Sequence, residues 1–409
     1  MSLLSRWNAV GAFFAFALAY FFSALIRAIT ATLSPTLTLE FALTARDLGL
    51  LAGGYFLGFA FTQLPLGNWL DRYGPKKVIL CFLSVAVAGC AAFSLADNFP
   101  SLLVARVLSG IGVSACLMAP LTGFRRWLTP ATLLRANSWM LMTGSLGMVA
   151  ATLPVQWLMP IVGWRPLFLM LAVLVALAMV VIMAMVPAWT SPAPTKAGES
   201  SYAEVWRHPY FRKLVPMGFF NYGGLVAIQT LWAGPWMIRV AGYTPLEAAT
   251  GLFWLNVCML FTFLAWGLVN PALARQGWNA ERLMQRLVPV SLLVLLGMMV
   301  TGESPSQNAA VWVAVFCVSS TSISLAQPAI GMAFPPALAG RALSAYNLVI
   351  FSGVFAVQWG IGLIVDGLKW QGWREPAAFQ GAMSVYLLCS LGAYVYFLMA
   401  KSHNQRSHD

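Results

Sequence analysis

The sequence predicts an all-α membrane protein with twelve transmembrane helices in two pseudo-symmetric six-helix bundles. Three observations carry this. Hydrophobic residues make up 60% of the 409-residue chain and charged residues only 9%, whereas a soluble domain carries roughly a quarter charged residues. The apolar residues come in runs of about twenty, the length that crosses a hydrocarbon core of roughly 30 Å. The longest polar stretch lies mid-chain and leaves six runs on either side of it.

In the first half the runs fall at 10–34, 47–70, 78–96, 100–123, 136–160 and 165–187. In the second half they fall at 213–240, 246–272, 283–301, 308–333, 342–366 and 377–400. The first has one upstream cation, Arg6, and no small-x-small cleavage site after a short apolar core, so it is expected to be retained as a span. Between the sixth and seventh runs, Ala188–Arg212 contains SPAPTKAGESS, the composition of a flexible linker. The expected organisation is a bundle over 1–187, a cytoplasmic linker over 188–212 and a second bundle over 213–409. The halves repeat one another. Pro130 to Arg135-Ala136 matches Pro336 to Arg341-Ala342, Val155-Gln156-Trp157 matches Val357-Gln358-Trp359, and Gly163-Trp164-Arg165 matches Gly372-Trp373-Arg374. Three matches in the same order point to duplication.

Basic residues set the orientation, because short cytoplasmic loops are enriched in Lys and Arg. Of the 24 Lys and Arg, Arg27 and Arg106 lie inside spans. Arg46, Arg165, Arg239, Lys369 and Arg374 fall on one side, which leaves 24 − 2 − 5 = 17 on the side of both termini. Both termini are therefore expected inside. The formal charge of +12 sits in short loops, not on one amphipathic face, so the lipid bilayer is the expected partner and nucleic acid is not. Cys81, Cys90, Cys116, Cys258, Cys317 and Cys389 all fall in apolar runs, so no disulfide is expected. No cluster has metal-ligand spacing and no nucleophile–base pair is visible, so neither an enzyme nor a metal or other cofactor is expected.

The loop after the second run reads Gly67-Asn-Trp-Leu-Asp71-Arg72-Tyr-Gly74-Pro75-Lys76-Lys77. It resembles the G-x-x-x-D-R-x-G-R-R signature loop of the major facilitator superfamily, with Pro75 where a cation is usual. Arg106 to Gly112 resembles the family's R-x-x-x-G-x-G pattern in the fourth span. The second-half counterpart, Gly267 to Gly277, is degenerate and lacks the acid. The resemblance implies a secondary transporter of the bacterial-type inner membrane that works as a monomer by alternating access. Gly67, Asp71, Arg72, Gly74, Lys76 and Arg106 would be its gating and signature residues. In the family, the carboxylate matching Asp71 faces the start of span eleven, near Ala342 here. Asp71 and Arg72 otherwise only cap a helix and hold topology.

Polar residues at helical spacing nominate pathway helices. Span one carries Tyr20, Ser23, Arg27, Thr30 and Ser34 on one face, and span seven carries Asn221, Gln229, Trp232 and Trp236. Span ten has Ser320, Ser324 and Gln327, and span eleven has Asn347 and Gln358. The resemblance makes helices one, four, seven and ten cavity-lining. The candidate substrate-binding set is Arg27, Tyr20, Ser23, Gln229, Trp232, Asn221, Gln327, Asn347 and Gln358. The plainer alternative is that such residues tie helices together.

An arginine at a helix centre costs about 3 kcal/mol on insertion scales. Arg27 is therefore expected either to bind an anionic group bidentately or to snorkel to the outer end of its helix. No Asp, Glu or His lies deep inside a span. Proton or counter-anion coupling, uniport and protonation of the substrate itself all stay open. The leading expectation is a transporter of a small organic anion. The alternatives are an exporter of drugs or hydrophobic metabolites, and a membrane sensor that moves nothing.

Overall fold

In the computed structural model, residues 4–189, 202–301 and 308–400 are described. Of the linker read as flexible, residues 190–201 lie outside them, Lys196 included, while Tyr202–Arg207 and the start of Pro209–Pro216 are helical; Glu303, Lys401, His403, Arg406 and His408 also lie outside the described residues. The described elements are all helical. Among the described residues, ten helices are long and apolar enough to cross a membrane, or up to twelve if each of two bent pairs counts as one span. The protein is a multi-pass membrane protein.

The first nine helices are α1 (Arg6–Phe41), α2 (Ala45–Phe61), α3 (Gln63–Tyr73), α4 (Pro75–Ser94), α5 (Phe99–Val113), α6 (Ala115–Trp127), α7 (Pro130–Ala150), α8 (Leu153–Val162) and α9 (Trp164–Met185). Two sites of local competition explain the bent pairs. Between α2 and α3, bent by 46°, Thr62 Oγ1 and Gln63 Nε2 both donate to the Phe59 carbonyl, at 2.8 and 3.2 Å. Side chains inserted into the backbone ladder in this way bend helices. Between α7 and α8, bent by 45°, Pro154 brings no N–H to the ladder. Thr152 turns back on the Val149 carbonyl at 2.6 Å. The Ala151 carbonyl freed there accepts from Thr32 Oγ1 at 2.8 Å.

The other ten α-helices are α10 (Tyr202–Arg207), α11 (Pro209–Pro216), α12 (Gly223–Ala227), α13 (Ala233–Arg239), α14 (Pro245–Arg275), α15 (Ala280–Thr301), α16 (Ala309–Ser320), α17 (Ala326–Ala333), α18 (Pro336–Trp370) and α19 (Glu375–Met399). Span seven, Pro209–Arg239, is wound twice into π-helix, over Met217–Tyr222 and Ile228–Trp232. Span ten tightens to a 3-10 turn over Thr321–Leu325. The repeat shows in the backbone: Gly163 and Gly372, which open the two Gly-Trp-Arg loops, both have positive φ, +73° and +88°.

The chain divides into two compact units. Unit 1 is Met1–Leu33 with Gly54–Lys196, and unit 2 is Ser34–Gly53 with Ala197–Asp409. In unit 1, α4 packs against α5 and α9. Unit 2 takes in the end of α1 and the start of α2, and its packing explains why. The Asp366 carboxylate of α18 accepts the Ala45 and Arg46 N–H groups at 3.2 and 2.7 Å, where a helix start favours an anion. Gly49 lies against α18 so closely that a Cβ there would stand 2.4 Å from the Gln358 carbonyl oxygen.

Candidate functional site

In unit 1 the polar stripe of α1 meets α2 and α5. The Arg27 guanidinium is half-buried and stands 5.7 Å from the centre of the Phe59 ring, beside the hydroxyls of Tyr20 and Tyr55. Arg27 lies about 21 Å along the axis from the end of α1 at Phe41, and Phe59 the same distance from the start of α2 at Ala45, at 1.5 Å per residue. The guanidinium thus contacts a ring at its own depth. The Tyr55 hydroxyl also donates to the Ser23 carbonyl at 3.3 Å. Ser23, 1% exposed, donates to the Val113 carbonyl at 3.5 Å, a long and weak bond.

Arg106 is 1% exposed and serves α1. Its Nη1 donates to the Ile26 carbonyl at 3.0 Å and its Nη2 to Thr30 Oγ1 at 2.5 Å. The Tyr55 and Phe93 rings flank it at 5.2 and 5.9 Å. Hydrogen bonds from a charged donor contribute about 1.5–3 kcal/mol each, so Arg106 holds α1 in register one turn from Arg27. Two guanidiniums thus share one cluster with Tyr20, Tyr55 and Phe59.

The signature loop holds unit 1 together at the other end of α2–α3. Gly74 has φ +79°, and a Cβ there would meet Trp189 Cγ at 2.1 Å, so glycine is required twice over. Lys76 Nζ donates to the Met183 and Val186 carbonyls at 2.8 and 2.7 Å, a cation on the C-terminus of α9. Asp71 and Arg72 are exposed in the last turn of α3, with Arg72 over the Tyr73 ring at 5.3 Å. Gly67 lies half-buried earlier in α3.

Unit 2 carries amide pairs. Gln229 donates to Asn256 Oδ1 at 2.9 Å, and Asn256 is itself tied to the Leu252 carbonyl at 2.8 Å. Gln358 is fully buried and donates to Thr230 Oγ1 at 3.0 Å, while its carbonyl accepts from Trp232 Nε1 at 3.1 Å. Gln327 donates to Asn347. Asn221 stands apart and reaches the Ser390 carbonyl at 3.4 Å. Gln229, Thr230, Trp232 and Gln358 therefore come together around the second π turn, a distortion frequent at functional sites. The Gln327–Asn347 pair and Asn221 are separate features. Sequence reasoning missed Tyr55, Phe59, Thr230 and Asn256. The one available signal was Asn256, a lone amide in the apolar run FWLNVCML.

The family model of the Major Facilitator Superfamily matches residues 16–358. The chain belongs to the Major Facilitator Superfamily. Its matched relatives are named as transporters. It is 26% identical over 341 residues to the inner membrane transport protein YajR of Escherichia coli, covering 78% of this chain and 69% of YajR. It is 29% identical over 158 residues to the niacin transporter NiaP of Acinetobacter baylyi, covering 37% of this chain and 35% of that one. It is 28% identical over 139 residues to the 4-hydroxybenzoate transporter PcaK of the same organism, covering 34% and 30%. The match thus spans about a third of the length of NiaP and PcaK. Among solved structures, the fold is shared with the D-xylose-proton symporter, with TM-score 0.79, 14% identity and coverage of 97% and 98% of the two chains. It is shared equally with an inward-facing, unoccupied bacterial homologue of the human lysosomal transporter Spinster, with TM-score 0.78, 17% identity and the same coverage.

Proposed function

We propose that this transporter carries a small organic anion across the bacterial inner membrane by alternating access, with Arg27 anchoring the negative charge. The observation that carries this reading is the mid-depth guanidinium of Arg27, set among two phenols and a phenyl ring. Phenols stay neutral at physiological pH, so the charge of Arg27 is solvated but not cancelled by them. A carboxylate brought by the substrate would complete the site through two parallel N–H···O bonds. Within unit 1, Tyr20 and Ser23 are proposed to line the site beside Arg27; within unit 2, Gln229, Trp232, Asn221, Gln327, Asn347 and Gln358 are proposed as substrate-binding residues. The loop Gly67–Lys77, with Asp71 and Arg72, is proposed as a gate, and both termini as cytoplasmic from the distribution of basic residues.

The relatives support the substrate class. Niacin and 4-hydroxybenzoate are aromatic carboxylic acids, and a further relative from Cupriavidus necator is a probable sulfoacetate transporter. The test is uptake by proteoliposomes under imposed pH or voltage gradients. Nicotinate, 4-hydroxybenzoate and sulfoacetate are compared with a cationic dye, in wild type and Arg27→Ala. Acid uptake that Arg27→Ala abolishes, without dye uptake, supports the proposal. Dye uptake without acid uptake, or acid uptake that Arg27→Ala leaves intact, overturns it.

A further inference from the structure

A second cluster of cations lies in unit 2, away from Arg27, where α1 turns into α2. A cavity of about 230 Å³ opens there, walled by Ser34, Thr38 and Leu48 on one side and by Trp232, Ile238 and Phe379 on the other. That is below the roughly 300–1,000 Å³ that drug-sized ligands occupy, so its occupant is small. Behind its wall Trp232 is fully buried and Phe379 is 3% exposed, and their rings meet edge to face at 5.8 Å, a closely packed backing. The Trp232 N–H is given to the Gln358 carbonyl, so the indole brings no donor to the cavity.

The rim carries Arg239, Lys369 and Glu375. One carboxylate serves both cations, and serves them poorly. Arg239 Nη1 is 3.8 Å from Glu375 Oε2, and Lys369 Nζ is 3.5 Å from Glu375 Oε1. Both distances exceed a good charge-assisted hydrogen bond of about 2.7–2.9 Å. Arginine offers five donors and lysine three, so most of the rim's donor capacity is unspent and the rim carries one excess positive charge. Three other acids of this end are engaged elsewhere. Asp366 accepts the Ala45 and Arg46 N–H groups, Asp47 accepts from Thr44, and Glu247 accepts from Thr244.

We propose that this cavity is a capture site for the carboxylate of a small organic acid, distinct from Arg27. The carboxylate bridges Arg239 and Lys369, displacing Glu375. On the orientation proposed above, this is the outer end of unit 2. The ligand class rests on the organic-anion reading of the transporter, but the site itself is tested separately.

The test is equilibrium dialysis of labelled benzoate against the detergent-purified full chain at low ionic strength, with benzamide as the neutral isostere. An Arg27→Ala background removes the other anchor. In that background benzoate still binds and benzamide does not. Adding Arg239→Gln and Lys369→Gln weakens benzoate binding about three- to tenfold, a modest effect because both cations are part-exposed. Adding Glu375→Gln instead strengthens it, a gain that a misfolded variant would not show. If the Arg27→Ala protein binds benzoate no better than benzamide, or binding ignores these charges, the capture site is overturned. Wild-type proteoliposomes that carry no organic acid would overturn the proposed function while leaving this binding result standing by itself.

Discussion

Replacing Glu281 with glutamine removes the carboxylate that pairs with Lys213 inside unit 2. The two side chains are 14% and 3% exposed, and the ammonium lies 4.9 Å from the centre of the Phe397 ring. Taking an ammonium out of water costs several kcal/mol, an expense met only while its partner is present. Removing one member of a buried pair costs about 3–5 kcal/mol. Because Glu281 keeps some contact with solvent, the lower end of that range applies. The Phe397 ring is present in both proteins and does not replace the lost charge. At about 2–4 °C per kcal/mol for a unit of this size, Glu281→Gln lowers the apparent Tm of the detergent-purified chain by about 6–12 °C. The double variant Lys213→Met with Glu281→Gln recovers most of that loss, because no charge is then left buried. Thermal unfolding followed by intrinsic tryptophan fluorescence reads both. A single variant within about 2 °C of wild type, or a double variant less stable than the single one, would refute the reasoning.

Substitutions at three further positions test how the helices are held. Asp366→Ala frees the Ala45 and Arg46 N–H groups at the start of α2 and costs about 1–2 kcal/mol, read as a lower Tm; Asp366→Asn, which keeps one acceptor, costs less. Gly49→Ala forces a Cβ to 2.4 Å from the Gln358 carbonyl oxygen; a backbone atom must yield, and unfolding shifts by about 1–3 kcal/mol. Arg106→Lys loses the planar fork that reaches both the Ile26 carbonyl and Thr30, and lowers stability by about 1–3 kcal/mol, whereas a residue free of these bonds would tolerate lysine.

The helical membrane fold was legible because each span is a run of about twenty apolar residues between charged loops, and few other structures accommodate that pattern. The two bends were not. They arise where Thr62, Gln63 and Thr152 turn on their own backbone and where Pro154 withholds an N–H, and each of these residues also occurs in unbroken spans. Arg27 stood out because a cation in an apolar run must be accounted for. Its companions Tyr55 and Phe59 did not, because aromatic residues in such a run read as packing. Gln229 and Gln358 were legible as polar residues on helix faces, but their partners Asn256 and Thr230 depend on which helices pack together. Lys213 counted as one more cytoplasmic cation, yet tertiary packing buries it against Glu281.

The decisive measurement is binding of labelled nicotinate to purified wild-type protein, Arg27→Ala and Arg27→Lys, alongside neutral nicotinamide. An ionic hydrogen bond contributes about 1.5–3 kcal/mol, so the alanine variant binds the acid at least about tenfold more weakly, the lysine variant falls between, and the amide binds none of them. Equal binding of the acid by wild type and Arg27→Ala would contradict the account.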